Sequence, residues 1–121
     1  VSQAAAAGLV VRTDTDGEAR RLPFAVDVAA YRIVQEALTN VARHAGPATA
    51  TVRVSYGEGD LTVQVDDDGR GRSPHGRAPG SGKGILGMRE RAAALGGELQ
   101  AGPRPDGGFQ VRARLPLDGA P

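Results

Sequence analysis

Over residues 25–45 the apolar positions are Val26, Ala30, Ile33, Val34, Ala37, Leu38, Val41 and Ala45. Steps of three and four predict one long amphipathic helix, and Gly46-Pro47 ends it. The rest of the chain has to cover that apolar stripe, and composition limits how. The sequence is 40% hydrophobic but only 3% aromatic, so its core must be built from Val, Leu, Ile and Ala. At 121 residues it forms one domain around a single core.

The covering elements read as strands. Leu9, Val11 and Thr13 alternate with Val10 and Arg12, a short strand that stops in the turn Asp14-Thr15-Asp16-Gly17. Val52, Val54 and Tyr56 alternate with Thr51, Arg53 and Ser55, and Leu61, Val63 and Val65 with Thr62 and Gln64. Gly57-Glu58-Gly59-Asp60 between them predicts a hairpin. Ile85, Met88, Ala92 and Leu95 predict a second helix, closed by Gly96-Gly97. Residues 98–101 and 109–115 predict a second hairpin, with Phe109, Val111, Ala113 and Leu115 on one face. Residues 2–8 are an alanine-rich lead-in. Residues 68–84 carry Gly, Arg, Ser and Pro and have almost nothing to bury, the texture of a functional or disordered loop. Helices combined with strands mostly joined by hairpins imply an α+β class, one layer of helices on a mixed, largely antiparallel sheet.

Some chemistries are excluded. Without cysteine there is no disulfide and no thiolate zinc site, and two histidines, His44 and His75, are too few for a histidine-rich metal site. A net charge of +1 gives no global pull toward nucleic acid or an anionic membrane. No apolar run approaches the roughly 20 residues a bilayer span needs, and no signal-peptide pattern is present. The chain starts at Val1 rather than Met and reads as a piece of a longer protein.

Three local patterns carry chemistry. At about 100° per residue, Glu36, Asn40, Arg43 and His44 share one arc of the long helix, with Glu36 and Asn40 one turn apart. A carboxylate and a carboxamide so placed offer oxygen ligands to a hard cation such as Mg²⁺, and Arg43 and His44 suit phosphate oxygens; the same arc also fits the solvated face of any amphipathic helix. Asp67 continues the odd series Leu61, Val63, Val65, so period 2 puts its carboxylate on the buried side. There it suits an amino group such as the exocyclic amine of adenine, with Gly69 and Gly71 allowing close approach. The alternative is a strand end that frays into a solvated acidic turn, Asp66-Asp67-Asp68. Finally, Gly82-Lys83-Gly84-Ile85-Leu86-Gly87 fits G-x-G-x-x-G literally, but no strand precedes it, so the dinucleotide-binding reading lacks its context. A P-loop also fails, because Arg77 stands where the first Gly is needed and Gly84 replaces the Ser/Thr after Lys83. Glycines opening a helix offer backbone N–H groups to an anion; a flexible linker is the other reading.

Taken together the three patterns resemble the GHKL ATPase superfamily. Val34-Gln35-Glu36-Ala37-Leu38-Thr39-Asn40-Val41-Ala42-Arg43-His44-Ala45 resembles its N box in the histidine-kinase form. Asp67-Asp68-Gly69-Arg70-Gly71 matches the D-x-G-x-G box, and residues 82–88 the second glycine box. The continuation Gly87-Met88-Arg89-Glu90-Arg91-Ala92, then Leu95-Gly96-Gly97, is similar to sensor kinases that pair with helix-turn-helix response regulators. Ile85 stands where the second glycine box more often has Leu.

The resemblance implies a two-layer α/β sandwich, the Bergerat fold, with residues 1–121 as one catalytic and ATP-binding domain and a lid over about residues 69–84. It implies ATP and Mg²⁺, with Asn40 on the metal and Glu36 a second ligand or water-orienting group. Arg43 and His44 would face the phosphates and Asp67 would accept from adenine. Gly69 and Gly71 would make room for the base, while Gly82, Lys83, Gly84, Ile85 and Gly87 would line the phosphate side. The reaction implied is transfer of the γ-phosphoryl group to a histidine on a separate dimerising helical domain of the same protein, in the cytoplasm, for relay to a response regulator. Neither His44 nor His75 has the acceptor's context, a following acidic residue on a helix. Alternatives on the same fold are a hydrolysing ATPase, an anti-sigma serine kinase, or a nucleotide-binding module without turnover.

Overall fold

Residues 9–44, 48–69, 81–105 and 107–117 are described by the computed structural model. In chain order the elements are β1 (Leu9–Asp16), α1 (Phe24–His44), β2 (Ala48–Tyr56), β3 (Asp60–Asp67), α2 (Ser81–Ala94), β4 (Glu98–Pro103) and β5 (Phe109–Pro116). The strands form one mixed sheet in the order β1-β2-β3-β5-β4. Only β1 and β2 pair in parallel, Val11 opposite Ala50. A parallel pair needs a crossover, and α1 supplies it. The other three pairings are antiparallel, which gives the helix-on-sheet α+β class that the pattern of elements predicts.

Alternation decides what faces the helices. Ala50, Val52, Leu61, Val63, Val65, Val111, Ala113 and Leu115 are buried, and they share one core with Val26, Ile33, Ala37, Leu38 and Val41 of α1 and Met88 and Ala92 of α2. The largest fully buried side chains are Ile33, Leu61, Met88 and Leu115, so the core is aliphatic apart from one thioether. Two of the chain's four aromatic residues, Phe24 and Tyr31, lie exposed on α1. Each fully buried aliphatic side chain contributes about 1.5–3 kcal/mol, so this core is made of many modest terms. The outward rows of the sheet are polar, with exposed pairs such as Arg53–Asp14 at 3.5 Å, which contribute little.

Element ends differ from the sequence reading for physical reasons. The first strand runs on to Asp16 instead of stopping at Thr13, because its ladder with β2 continues through Asp14 opposite Arg53 and Asp16 opposite Ser55. Apolar alternation cannot report a ladder made by the backbone. The turn falls at Gly17, with φ of 86°. The second helix begins at Ser81, so residues 81–84, read as the end of a loop, are helical. The opening turn of a helix needs no apolar residue, and glycine's poor propensity, about 1 kcal/mol each, is outweighed by packing. Residues 70–80, which make up most of the lid, lie outside the described residues, as do 1–8 and 45–47.

The close of α2 follows the glycine signal. Gly97 N donates to Ala92 O and Gly96 N to Ala93 O, both at 2.9 Å, the paired bonds of a Schellman cap. Gly96 takes the left-handed conformation, φ 81°. Gly97 serves differently, because a Cβ there would run into the Arg114 carbonyl, whose carbon is 3.1 Å away. We expect Gly96→Ala to cost about 1–2 kcal/mol through its backbone conformation. Gly97→Ala should cost more, since main chain of β5 has to move. Denaturant unfolding of the two variants checks this, and equal midpoints would remove the close approach from the account.

Candidate functional site

The alternation that builds the core carries on to the last residue of β3. Burial alternates from Asp60 to Asp67, and Asp67 is 2% exposed, the one buried polar side chain among the described residues. A carboxylate out of water is costly unless hydrogen-bonded. Its Oδ1 accepts from Gly69 N at 2.8 Å, and Gly69 itself is buried. Asp68 turns outward and locks the strand end to β2: its Oδ1 accepts from Thr49 N at 2.7 Å, and its N donates to Thr49 O at 3.2 Å. The Asp67 carbonyl accepts from Arg104 Nη1 at 2.8 Å. Gly108, with φ 86°, is seated flat against that same carbonyl, in a space a Cβ would fill. The carboxylate therefore stands on a backbone fixed from several sides and does not fray.

A second group forms between the helices. Glu36 and Asn40 are half-buried on α1, and both meet Gly84 in the opening turn of α2. A Cβ at Gly84 would overlap Glu36 Oε2 and lie 3.4 Å from Asn40 Nδ2. The carboxylate thus lies beside the end of a helix where backbone N–H groups lack internal partners. An open groove between the helices continues from this point, lined by Arg32, Gln35, Glu36, Gly84, Gly87, Met88 and Arg91.

The remaining predicted residues sort plainly. Arg43 is exposed in the last turn of α1. Ile85 is partly buried, with its side chain packed against the core. Gly82 lies within α2, while Gly71 and the side chains of His44 and Lys83 are outside the described residues. Sequence reasoning missed Arg32 and Arg91, although Arg32 stands one turn before Glu36 on the same arc and that spacing would have found it. No sequence signal points to Arg104.

These donors suit a cation carried with its ligand better than a dedicated metal cage. Among the described residues no three His, Cys, Asp or Glu side chains converge. Mg²⁺ commonly takes one or two protein ligands and completes its shell with phosphate oxygens and water, so the pair Glu36 and Asn40 fits.

Residues 25–119 match the family model described as "Histidine kinase-, DNA gyrase B-, and HSP90-like ATPase". The chain belongs to this family. It is 32% identical over 110 residues to the signal transduction histidine-protein kinase/phosphatase DegS of Brevibacillus brevis, an alignment covering 91% of this chain and 28% of that protein. It is 38% identical over 114 residues to the sensor histidine kinase YxjM of Bacillus subtilis, covering 91% of this chain and 26% of the relative. The chain thus spans little more than a quarter of the length of these relatives. Among solved structures, the blue-light activated histidine kinase of Erythrobacter litoralis EL346 superposes with a TM-score of 0.73 at 28% identity, over 91% of this chain and 36% of that one. The catalytic domain of histidine kinase ThkA superposes with a TM-score of 0.75 at 16% identity, over 96% and 85% of the two chains, a likeness of fold alone. As a member of this ATPase family the domain is an ATP-binding one. No helix among the described residues is long and apolar enough to cross a membrane.

The two groove glycines should separate in behaviour. A Cβ at Gly87 meets nothing within 4 Å, whereas one at Gly84 displaces Glu36. Gly87→Ala is expected to leave stability unchanged or raise it by up to about 1 kcal/mol through helix propensity. Gly84→Ala should weaken Mg²⁺-ATP binding several-fold while the protein stays folded. Calorimetric titration of Gly84→Ala against the wild type decides; an unchanged affinity would detach Glu36 from the site.

Proposed function

We propose that this chain is the ATP-binding catalytic domain of a two-component sensor histidine kinase, with Asp67 at the base end of the nucleotide and the Glu36–Asn40–Gly84 group at the phosphate end. The observation that carries the reading is the buried Asp67 carboxylate fixed beside Gly69 at the end of a central strand. A desolvated acceptor on a rigid backbone discriminates a purine that offers an amine from one that does not. Support for the phosphate end is the convergence of Glu36 and Asn40 on the opening turn of α2, where unpaired N–H groups favour anions. Arg43, His44, Gly82, Lys83 and Gly87 are proposed to serve the phosphates, and Gly71 the base. Ile85 would take part through its backbone.

Asn40 and Glu36 would hold Mg²⁺ together with the phosphate oxygens. The metal, when bound, neutralises phosphate charge. The chain's own part is positioning: Asp67 fixes the base, and the Gly84 turn receives the phosphates. In the transfer, the γ-phosphorus to β-oxygen bond breaks, ADP departs with the electron pair, and a phosphorus–nitrogen bond forms on the acceptor imidazole. Positioning and charge neutralisation dominate such a reaction. The acceptor would belong to a dimerising helical domain of the longer cytoplasmic protein, with a response regulator receiving the phosphoryl group next.

Asp67→Asn is expected to weaken ATP by roughly ten- to a hundredfold, the worth of a hydrogen bond to a charged group, without unfolding the domain. Unchanged affinity would take Asp67 out of the base pocket. For the phosphate end, Asn40→Ala and Glu36→Ala should impair Mg²⁺-ATP binding and transfer to the helical domain more than they impair adenosine binding. Transfer is read as acid-labile, base-stable phosphate on that domain. Equal loss of adenosine binding would count against the assignment of the stripe.

A further inference from the structure

Asp67 is reached from a part of the chain to which the sequence motifs assign no role. Arg104 stands at the turn between β4 and β5, where its N donates to Gly108 O at 3.0 Å and its O accepts from Gly107 N at 3.1 Å. Its backbone is therefore fixed by its own hairpin. Its half-buried side chain crosses to β3 and donates Nη1 to the Asp67 carbonyl at 2.8 Å, a contact spanning 37 residues of sequence. From the same turn, Gly108 presses its bare α-carbon onto that carbonyl, and an added Cβ would also come within 3.1 Å of Asp68 Cα. The hairpin thus grips the peptide between Asp67 and Asp68 by one charge-assisted bond and one steric contact.

The peptide it grips decides where the carboxylate goes. Asp67 stands at the point where β3 leaves the sheet, and Oδ1 is tied to Gly69 N only two residues on. A turn of that carbonyl about the Asp67 Cα–C bond displaces Asp68 and Gly69, and with them the Gly69 N–H that holds Oδ1 in place. Asp68 holds the outer side through Thr49, and Arg104 holds the side toward β5. We infer that Arg104 is a positioning residue for nucleotide selection, setting the Asp67 carboxylate for the amine of the base from outside the family's sequence boxes. This rests on the adenine-binding reading of Asp67 given above.

A positioning role predicts a change in base discrimination and not merely in stability. ATP offers an amine at purine carbon 6, where ITP has a carbonyl that a carboxylate repels. The test is calorimetric titration of the chain with ATP and ITP, each with Mg²⁺, for the wild type, Arg104→Ala and Arg104→Lys. Arg104→Ala should weaken ATP about tenfold, the loss of one charge-assisted bond, and change ITP less than twofold, so that the preference collapses. Arg104→Lys keeps a cationic donor for a single carbonyl and should retain most of the preference. General loosening of the fold would weaken both nucleotides alike, and an unchanged ATP-to-ITP ratio in folded Arg104→Ala overturns the proposal. If the alanine variant does not fold, the lysine variant decides: once folded, loss of the preference overturns the proposal and its retention supports it. A wild-type protein that binds both nucleotides equally instead overturns the adenine reading of Asp67 itself, a separate outcome.

Discussion

Asp67 sits below the sheet surface because the alternation that buries Leu61, Val63 and Val65 continues one step further. At that step the buried side chain is a carboxylate, and the environment has to stabilise the charge or the strand end has to let go. The surroundings are built to prevent the second outcome. Asp68 is bonded to both the N–H and the carbonyl of Thr49, Gly69 supplies a donor at 2.8 Å, and Arg104 with Gly108 clamps the carbonyl. Two of these, the Asp68 N–Thr49 O bond and the Gly108 contact, join backbone to backbone and do not depend on flexible side chains. Sheet order follows the same logic: β3 lies between β2 and β5, so both neighbours are available to hold its end.

One helix serves two sets of requirements. On one side α1 contributes Val26, Ile33, Ala37, Leu38 and Val41 to the core; on another it carries Arg32, Glu36 and Asn40 along the groove with α2. The two sets interleave in sequence, Glu36 directly before Ala37 and Asn40 directly before Val41, so a helix well seated on the sheet fixes the polar residues too. Small residues allow the close approach. Gly84 leaves the space that Glu36 occupies, and alanines at positions 29, 30, 37 and 92 keep the aliphatic core shallow.

Much of this was legible in the sequence because periodicity reports burial. Period 2 ran through β3 and predicted the burial of Asp67, and the helical stripe put Glu36 and Asn40 on one arc. The Gly96-Gly97 pair announced a helix end, and the second glycine also answers to the Arg114 carbonyl, which no local pattern encodes. What stayed hidden depends on contacts distant in sequence. Arg104 looks like any charged residue in a Pro-Gly-rich turn until the fold sets that turn beside β3. The start of α2 is hidden because its opening turn, Ser81-Gly82-Lys83-Gly84, has no apolar residue and two poor helix formers. Ile85 stands within the second glycine box, and its partly buried side chain also packs against the core, a contact the box pattern does not encode.

The two ends of the site differ in how they are held, and this bears on what each contributes to the reaction. The Asp67 end is braced by the main chain of Thr49 and Gly108 and by the Arg104 guanidinium, with the carboxylate tied to Gly69 N. Preorganisation of that kind favours recognition, since no reorganisation is needed on binding. On the proposed reading it would act equally on substrate and transition state, and so set affinity and base choice, not the rate of the chemical step. The Glu36–Asn40 end is braced by side chains against a glycine-rich helical turn, where Gly84 leaves the space that Glu36 occupies and Gly87 leaves open space. Donors already aimed at where charge develops stabilise the transition state more than the ground state, and on the proposed reading the unpaired N–H groups of that turn would supply them. On the proposed reading, a domain divided in this way would hold the constant part of its ligand at the Asp67 end and keep its fixed donors for the atoms whose bonds change.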